Sequence, residues 1–286
     1  MRPLVRQPAL PEEMPGSRRN MLRAACALAG ASCLPAWVTA SAQGAAEPLD
    51  EHVAFRRVVA ANRILANESV VDAFGHVSVR DPRDPSRYVM SHARSPALVE
   101  YADLMEFQQD GTPLDPRGRR AYGERMIHGA VYEARPDVNA VVHHHAYSVI
   151  PFAVSDIPLV PLTHTAAVIG SEIPVWDIAA HFGDTDTLVR TMEIGRDLAA
   201  VLADNTCVLM RGHGAVVVGA TVQQAVLSAI YLEVNARILA QTLALTDTLK
   251  ALSAVEVELA RATQFSPLGA ERAWEYYCRR AGVEPV

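Results

Sequence analysis

The sequence predicts an α/β domain, and three observations carry that expectation. Short runs rich in valine, isoleucine and leucine alternate with stretches whose apolar residues recur at helical spacing. Two of the apolar runs end in histidine, one in Val141-Val142-His143-His144-His145 and one in Met210-Arg211-Gly212-His213-Gly214. The 286 residues, half apolar and a fifth charged, suffice for a large core and contain neither an internal repeat nor an internal linker. One domain over residues 48–286 follows.

Residues 1–42 stand apart from it. Ser17-Arg18-Arg19-Asn20-Met21-Leu22-Arg23 is a twin-arginine motif, followed by an Ala/Gly/Leu run and by Ala40-Ser41-Ala42, a small-x-small cleavage site. The expectation is a twin-arginine signal peptide cleaved after Ala42, a periplasmic protein, and no stable membrane insertion after cleavage. The run 24–40 contains Gly30 and Pro35 and is too short and too weakly apolar for a stable span, which leaves an uncleaved anchor or a disordered tail as alternatives. Cys33 as a lipidation site is disfavoured by Gly30, where such sites carry leucine. Losing five Arg and two Glu with the peptide takes the formal charge from −6 to −9, so no basic footprint for nucleic acid remains.

Within the domain, residues 51–66 carry Val53, Ala54, Val58, Val59, Ile64 and Leu65 at helical spacing and predict an opening amphipathic helix. Residues 75–80 alternate as a strand that stops at Asp81-Pro82; 88–90 and 104–107 are two more, the latter leading into a turn at Asp110-Gly111. Arg117-Gly118-Arg119-Arg120 reads as a solvated loop. Residues 123–135 predict a helix ended by Pro136, with Glu124 in its first turn and His128 one turn on along the same face. The histidine-tipped strand follows, then a helical stretch over 146–154, strands over 159–162 and 173–178, and a helix over 186–202. Strands over 206–210 and 215–219 flank His213, and Thr221 caps a long helix to about residue 245. A polar helix and the aromatic tail Ala273-Trp274-Glu275-Tyr276-Tyr277 finish the chain.

Chemistry-bearing residues are few enough to sort. Lys250 is the only lysine and lies in a polar stretch far from any strand end, which argues against amine covalent catalysis. Cys26 and Cys33 belong to the presequence, leaving Cys207 and Cys278 with no CxxC or finger spacing, so a metal must be held by histidine and carboxylate. Cys207 reads as a buried free thiol, and whether it pairs with Cys278 stays open. In a strand the side chains alternate, so His143 and His145 share one face while His144 points away. His213, between Gly212 and Gly214, is the third candidate, and Glu124 supplies a carboxylate. Three imidazoles and a carboxylate with an open position suit a catalytic divalent ion.

The run Glu124…His128…Arg135-Pro136-Asp137-Val138-Asn139-Ala140-Val141-Val142-His143-His144-His145, with Arg211-Gly212-His213-Gly214 downstream, resembles class II aldolases of the fuculose-phosphate aldolase/adducin type over about residues 50–245. The resemblance implies a three-layer α/β/α sandwich around a mixed central sheet and a homotetramer with sites near subunit interfaces. It also implies a Zn²⁺ or similar ion (Mn, Co or Mg) on His143, His145 and His213. Glu124 would then be acid/base and possible fourth ligand. This chain departs from the sugar-phosphate members at Gly75-His76, where they have Gly-Asn, at Ala93-Arg94 in place of a Thr-Gly phosphate loop, and at Tyr122-Gly123 in place of Ser-Ser. The departures point to Arg94, with His76 and Ser78, clamping a carboxylate on an unphosphorylated small molecule. The plainer alternatives are a surface arginine and a satisfied structural histidine. The family's proton-donor tyrosine falls near Leu162; His164 is a stand-in, and Tyr276 or Tyr277 offers another phenol. The pattern is similar to the branch of dihydroxyphthalate-type and carboxymuconic-semialdehyde decarboxylases. The expected activity is metal-dependent decarboxylation of a hydroxylated aromatic or related carboxylic acid. The alternatives are retro-aldol cleavage of a hydroxy-keto acid or sugar, and a non-catalytic adducin-like binding module, which would lack metal ligands.

Overall fold

A computed structural model describes residues 50–286, so the twin-arginine motif, Cys33 and the cleavage site lie outside the described residues. Seven strands among them form one sheet: β1 His76–Arg80, β2 Arg87–Ser91, β3 Leu104–Gln108, β4 Ala140–His144, β5 Val175–Trp176, β6 Cys207–Met210 and β7 Gly214–Gly219. Their order is β3-β2-β1-β4-β7-β6-β5, antiparallel throughout except for the parallel edge pair β5–β6, which makes the sheet mixed. The helices are α1 Glu51–Asn67, α2 Arg125–Ala134, α3 Ile150–Ala153, α4 Ile178–Phe182, α5 Met192–Leu202, α6 Val222–Leu245, α7 Ala254–Gln264 and α8 Pro267–Arg280.

The period of two in β4 divides the core. Ala140 and Val142 join one apolar cluster with Ile64 and Leu65 of α1, Leu232 and Leu239 of α6, and Trp274 of α8. Val141 joins the other, with Ile127 and Val131 of α2 and Leu198 and Leu202 of α5. Helices therefore cover both faces, and the α/β/α sandwich expected from the sequence is the architecture found. Capping follows the sequence too: Asp50, Thr191, Thr221 and Ser253 each accept a backbone N–H in the first turn of α1, α5, α6 and α7.

Four expected elements are different. The stretch 159–162 is not a strand, because Pro158 and Pro161 deny it ladder donors. The Asn235 amide in α6 binds it instead, accepting from Leu162 N at 2.9 Å and donating to Val160 O at 2.9 Å. The strand expected over 173–178 shrinks to the two residues of β5. Residues 146–154 form a 3₁₀ turn, Tyr147–Val149, before the single turn of α3. The helix expected over 186–202 begins only at Met192, and residues 184–191 are a loop with Thr187 at φ 62°.

Two glycines set where α2 can lie. A Cβ on Gly195 of α5 would stand 2.8 Å from Met126 O, so the two helices meet backbone to backbone. A Cβ on Gly129 would stand 1.8 Å from Gln109 O in the turn after β3. Gly129→Ala is accordingly expected to cost about 2–3 kcal/mol of stability, measured as a lower urea midpoint. An unchanged midpoint would mean that α2 is free to back away from the turn.

Candidate metal centre

β4 is the middle strand of the sheet, with His143 opposite His76 on β1 and Val216 on β7. His143 and His145 turn their Nε2 atoms to within 2.9 Å of each other. The turn between β6 and β7 carries His213, whose Nε2 lies 3.1 Å from that of His145. Oε2 of Glu124, the residue that caps the N-terminus of α2, lies 3.5 Å from the Nε2 of both His143 and His213. All four donor atoms fall within 4.8 Å of one another.

The tautomers of two imidazoles are fixed from behind. His143 Nδ1 donates to Ala215 O at 3.1 Å and His213 Nδ1 donates to Thr187 O at 3.0 Å, so in the neutral rings both Nε2 lone pairs face inward. Converging lone pairs repel unless a cation lies between them. Donors on a tetrahedral ion with bonds of about 2.0–2.1 Å stand about 3.3 Å apart, close to the separations found. The residues therefore fit a divalent metal, and backbone carbonyls behind ligating imidazoles are the support such sites use.

The electrostatics favour positive charge at this point. Burial works against an ionised Glu124, yet hydrogen bonding to His143 and His213 overrides it and holds the carboxyl far below the usual range. Burial likewise opposes a charged His213, but Glu124 lifts it above the ordinary imidazole value. His145 is pushed down to about 4 by burial and then by His143 and His213, which keeps it a neutral donor. The second Glu124 oxygen, Oε1, accepts from Val189 N at 3.0 Å. Thr187 and Val189 both belong to the loop expected as helix, so that loop orients two ligands at once.

The remaining candidates sort by position. His76 is buried, its ring 5.1 Å from that of His143, and its Nδ1 meets His128 Nε2 at 2.6 Å. Ser78 is wholly buried with its hydroxyl 2.6 Å from His128 Nδ1 and 2.7 Å from Tyr132 OH. It braces His128 instead of meeting a ligand, which corrects the expectation of substrate contact. Burial, and then the neighbouring His143, pushes His128 down to about 3, so this buried chain is uncharged. Arg94 Nη1 holds both oxygens of Asp103, at 2.9 and 2.8 Å. Its backbone N–H donates to Tyr122 OH at 3.2 Å while that hydroxyl donates to Arg94 O, and the Tyr122 ring lies 4.6 Å from His76. His164 is exposed ahead of the 3₁₀ turn Thr165–Ile169, outside the four-residue cluster. Tyr277 is buried beside Tyr231, and Tyr276 is exposed with Arg280 over its ring. His144 points into the opposite layer, as alternation requires, and accepts from Ala146 N at 3.2 Å. Cys207 and Cys278 are buried free thiols.

Sequence reasoning missed Thr187 and Val189, which act through backbone atoms and leave no residue signature. It also missed Asp72 and Phe74, in the loop before β1, and Tyr147; the Phe74 ring lies 6.4 Å from that of His145. A family model described as class II aldolase and adducin N-terminal domain matches residues 56–240. A decarboxylase of Talaromyces stipitatus, tropJ, is 34% identical over 211 residues, 69% of this chain and 79% of its own. The 3,4-dihydroxyphthalate decarboxylase of Arthrobacter keyseri is 27% identical over 215 residues, 72% of this chain and 85% of its own. The L-fuculose 1-phosphate aldolase structure from Glaciozyma antarctica superposes with a TM-score of 0.65 at 24% identity, covering 81% of this chain and 89% of that one. His143→Ala is expected to abolish stoichiometric divalent metal in the purified protein, whereas His144→Ala should retain it. Elemental analysis of the two variants checks this, and equal metal contents would refute the ligand assignment.

Proposed function

The chain belongs to the class II aldolase and adducin family and is a lyase of that family, and on that premise we propose that it decarboxylates a hydroxylated aromatic carboxylic acid. The observation that carries the reading is Tyr122. Its ring lies against His76 and its hydroxyl ties down the Arg94 backbone, so bulk and a part-buried ion pair fill the loop where a sugar-phosphate enzyme needs small hydroxyls and free N–H groups. The Asp103 carboxylate beside Arg94 further opposes a phosphate dianion. The two decarboxylase relatives support the same direction.

His143, His145 and His213 would hold the ion, and three imidazoles with a carboxylate favour zinc, with manganese, cobalt or magnesium as alternatives. Such an ion supplies Lewis acidity where negative charge develops on substrate oxygens during C–C cleavage. Loss of CO₂ leaves an electron pair on carbon, and the ionised Glu124 carboxylate, with Oε2 on the edge of the cluster, is placed to orient a water whose proton fills it, the hydroxide left behind combining with CO₂ as bicarbonate. Arg94, a third exposed and ion-paired through Nη1, is the cation proposed to orient the substrate carboxylate with its free edge. A non-catalytic adducin-like role would not require all four ligands, and all four converge.

Incubating the metal-loaded protein with dihydroxybenzoates, dihydroxyphthalates and hydroxy-keto acids should release CO₂ from an aromatic member. Aldehyde without CO₂ would replace the decarboxylase with an aldolase. Glu124→Gln is expected to lower kcat at least about 100-fold with metal still bound. We propose a homotetramer exported through the twin-arginine route; Arg18→Lys with Arg19→Lys should hold the protein in the cytoplasm, and a periplasmic double variant would refute the export assignment.

A further inference from the structure

Two aromatic side chains stand in solvent beside the metal ligands. Phe74 is 66% exposed and Tyr147 80% exposed. Tyr147 follows His145 by two residues, and the Phe74 ring lies 6.4 Å from the His145 ring at 44°. Large exposed apolar groups next to a cluster of polar ligands are characteristic of ligand contact. The backbone that carries Phe74 is fixed. Val70 and Val71 bury the root of the loop, and Gly75, at φ 102°, seats its end where a Cβ would come 3.1 Å from His143 O. Asp72 then ties the Phe74 backbone and the Tyr147 ring with one carboxylate, Oδ1 accepting from Phe74 N at 2.9 Å and Oδ2 accepting from Tyr147 OH at 3.2 Å.

We infer that Phe74 and Tyr147 form an aromatic lip beside His145 that receives the ring of an aromatic carboxylic acid and sets the preference for such acids over aliphatic ones. This deepens the decarboxylase reading and rests on it for the identity of the substrate. A substrate that engages the ion through a carboxylate and an adjacent hydroxyl carries its ring outward, where Phe74 flanks His145 and Asp72 holds the Tyr147 hydroxyl. A tilted or offset ring meets both faces and edges favourably, and with the apolar area covered this corresponds to about a five- to thirtyfold gain in affinity. An aliphatic hydroxy acid has the same ion-binding groups and none of that contact. Asp72 is a positioning residue: it holds the Phe74 backbone and the Tyr147 hydroxyl.

The test uses zinc-loaded full-length protein titrated by calorimetry with 2,3-dihydroxybenzoate and, in parallel, with glycolate. Phe74→Ala should weaken dihydroxybenzoate about five- to thirtyfold and leave glycolate within about twofold, while Phe74→Tyr keeps the ring and the affinity. Asp72→Ala should give a smaller loss of the same selectivity, seen in KM more than in kcat. Zinc content and elution volume on size exclusion should match the wild type throughout. Equal losses for both ligands, no loss in Phe74→Ala, or a shift in oligomeric size, which would assign the rings to a subunit contact, each overturn the lip. The two readings fail separately. CO₂ release with unchanged dihydroxybenzoate binding in Phe74→Ala removes the lip and keeps the decarboxylase. Selective loss of binding in a protein that releases no CO₂ keeps the lip and removes the decarboxylase.

Discussion

Three imidazole lone pairs aimed at one point cannot coexist without positive charge between them, and much of this chain is arranged to keep them aimed. Two of the rings are locked by carbonyls from other elements, Ala215 on β7 and Thr187 in the loop before α5. Close packing of β4 against β7 is what makes the first lock possible. A Cβ at Gly214 would stand 2.1 Å from His144 O, so only glycine lets the His213 turn approach the end of β4 this closely. The energetic demand of the site is thus met mostly by backbone, which has no rotamer entropy to lose.

Behind the ligands lies a second polar layer inside the core. His76, His128, Ser78 and Tyr132 form a hydrogen-bonded line between β1 and α2, with every contact at or below 2.7 Å. Their pKa directions agree that the line is neutral: burial lowers both imidazoles and raises the Tyr132 phenol. A neutral, satisfied network costs little to bury and leaves the charge of the site concentrated on Glu124 and whatever cation it faces. Tyr122 joins this layer to the Arg94 loop, so the residues that differ from a sugar-phosphate site reach the ligands through His76.

What the sequence made legible was set by periodicity. Alternation along β4 placed His143 and His145 together and His144 opposite, and glycines on both sides of His213 marked its turn. The period of helix α2 put Glu124 and His128 on one face, and both do serve the same side of the sheet. Periodicity failed where backbone atoms do the work. Residues 186–191 lead into the apolar pattern of α5 and read as its first turns, but Val189 is spent in the core while its N–H and the Thr187 carbonyl hold two ligands. Proline overrode the apolar run over 159–162 for the same local reason, a missing donor. Ser78 was misassigned because an alternating strand tells which face a hydroxyl is on, not how deep it lies.

The loop at 184–191 has an implication for how this site can vary among related chains. Surface loops ordinarily accept insertions and deletions, since their backbone groups are served by water. Here two backbone groups only two positions apart answer to side chains from two different segments, Glu124 ahead of α2 and His213 after β6. Adding or removing one residue between them would put a side chain or the wrong dipole behind one ligand while the other stayed correct. The loop is therefore a fixed-length ruler: its composition is free to drift, but its count of residues is not.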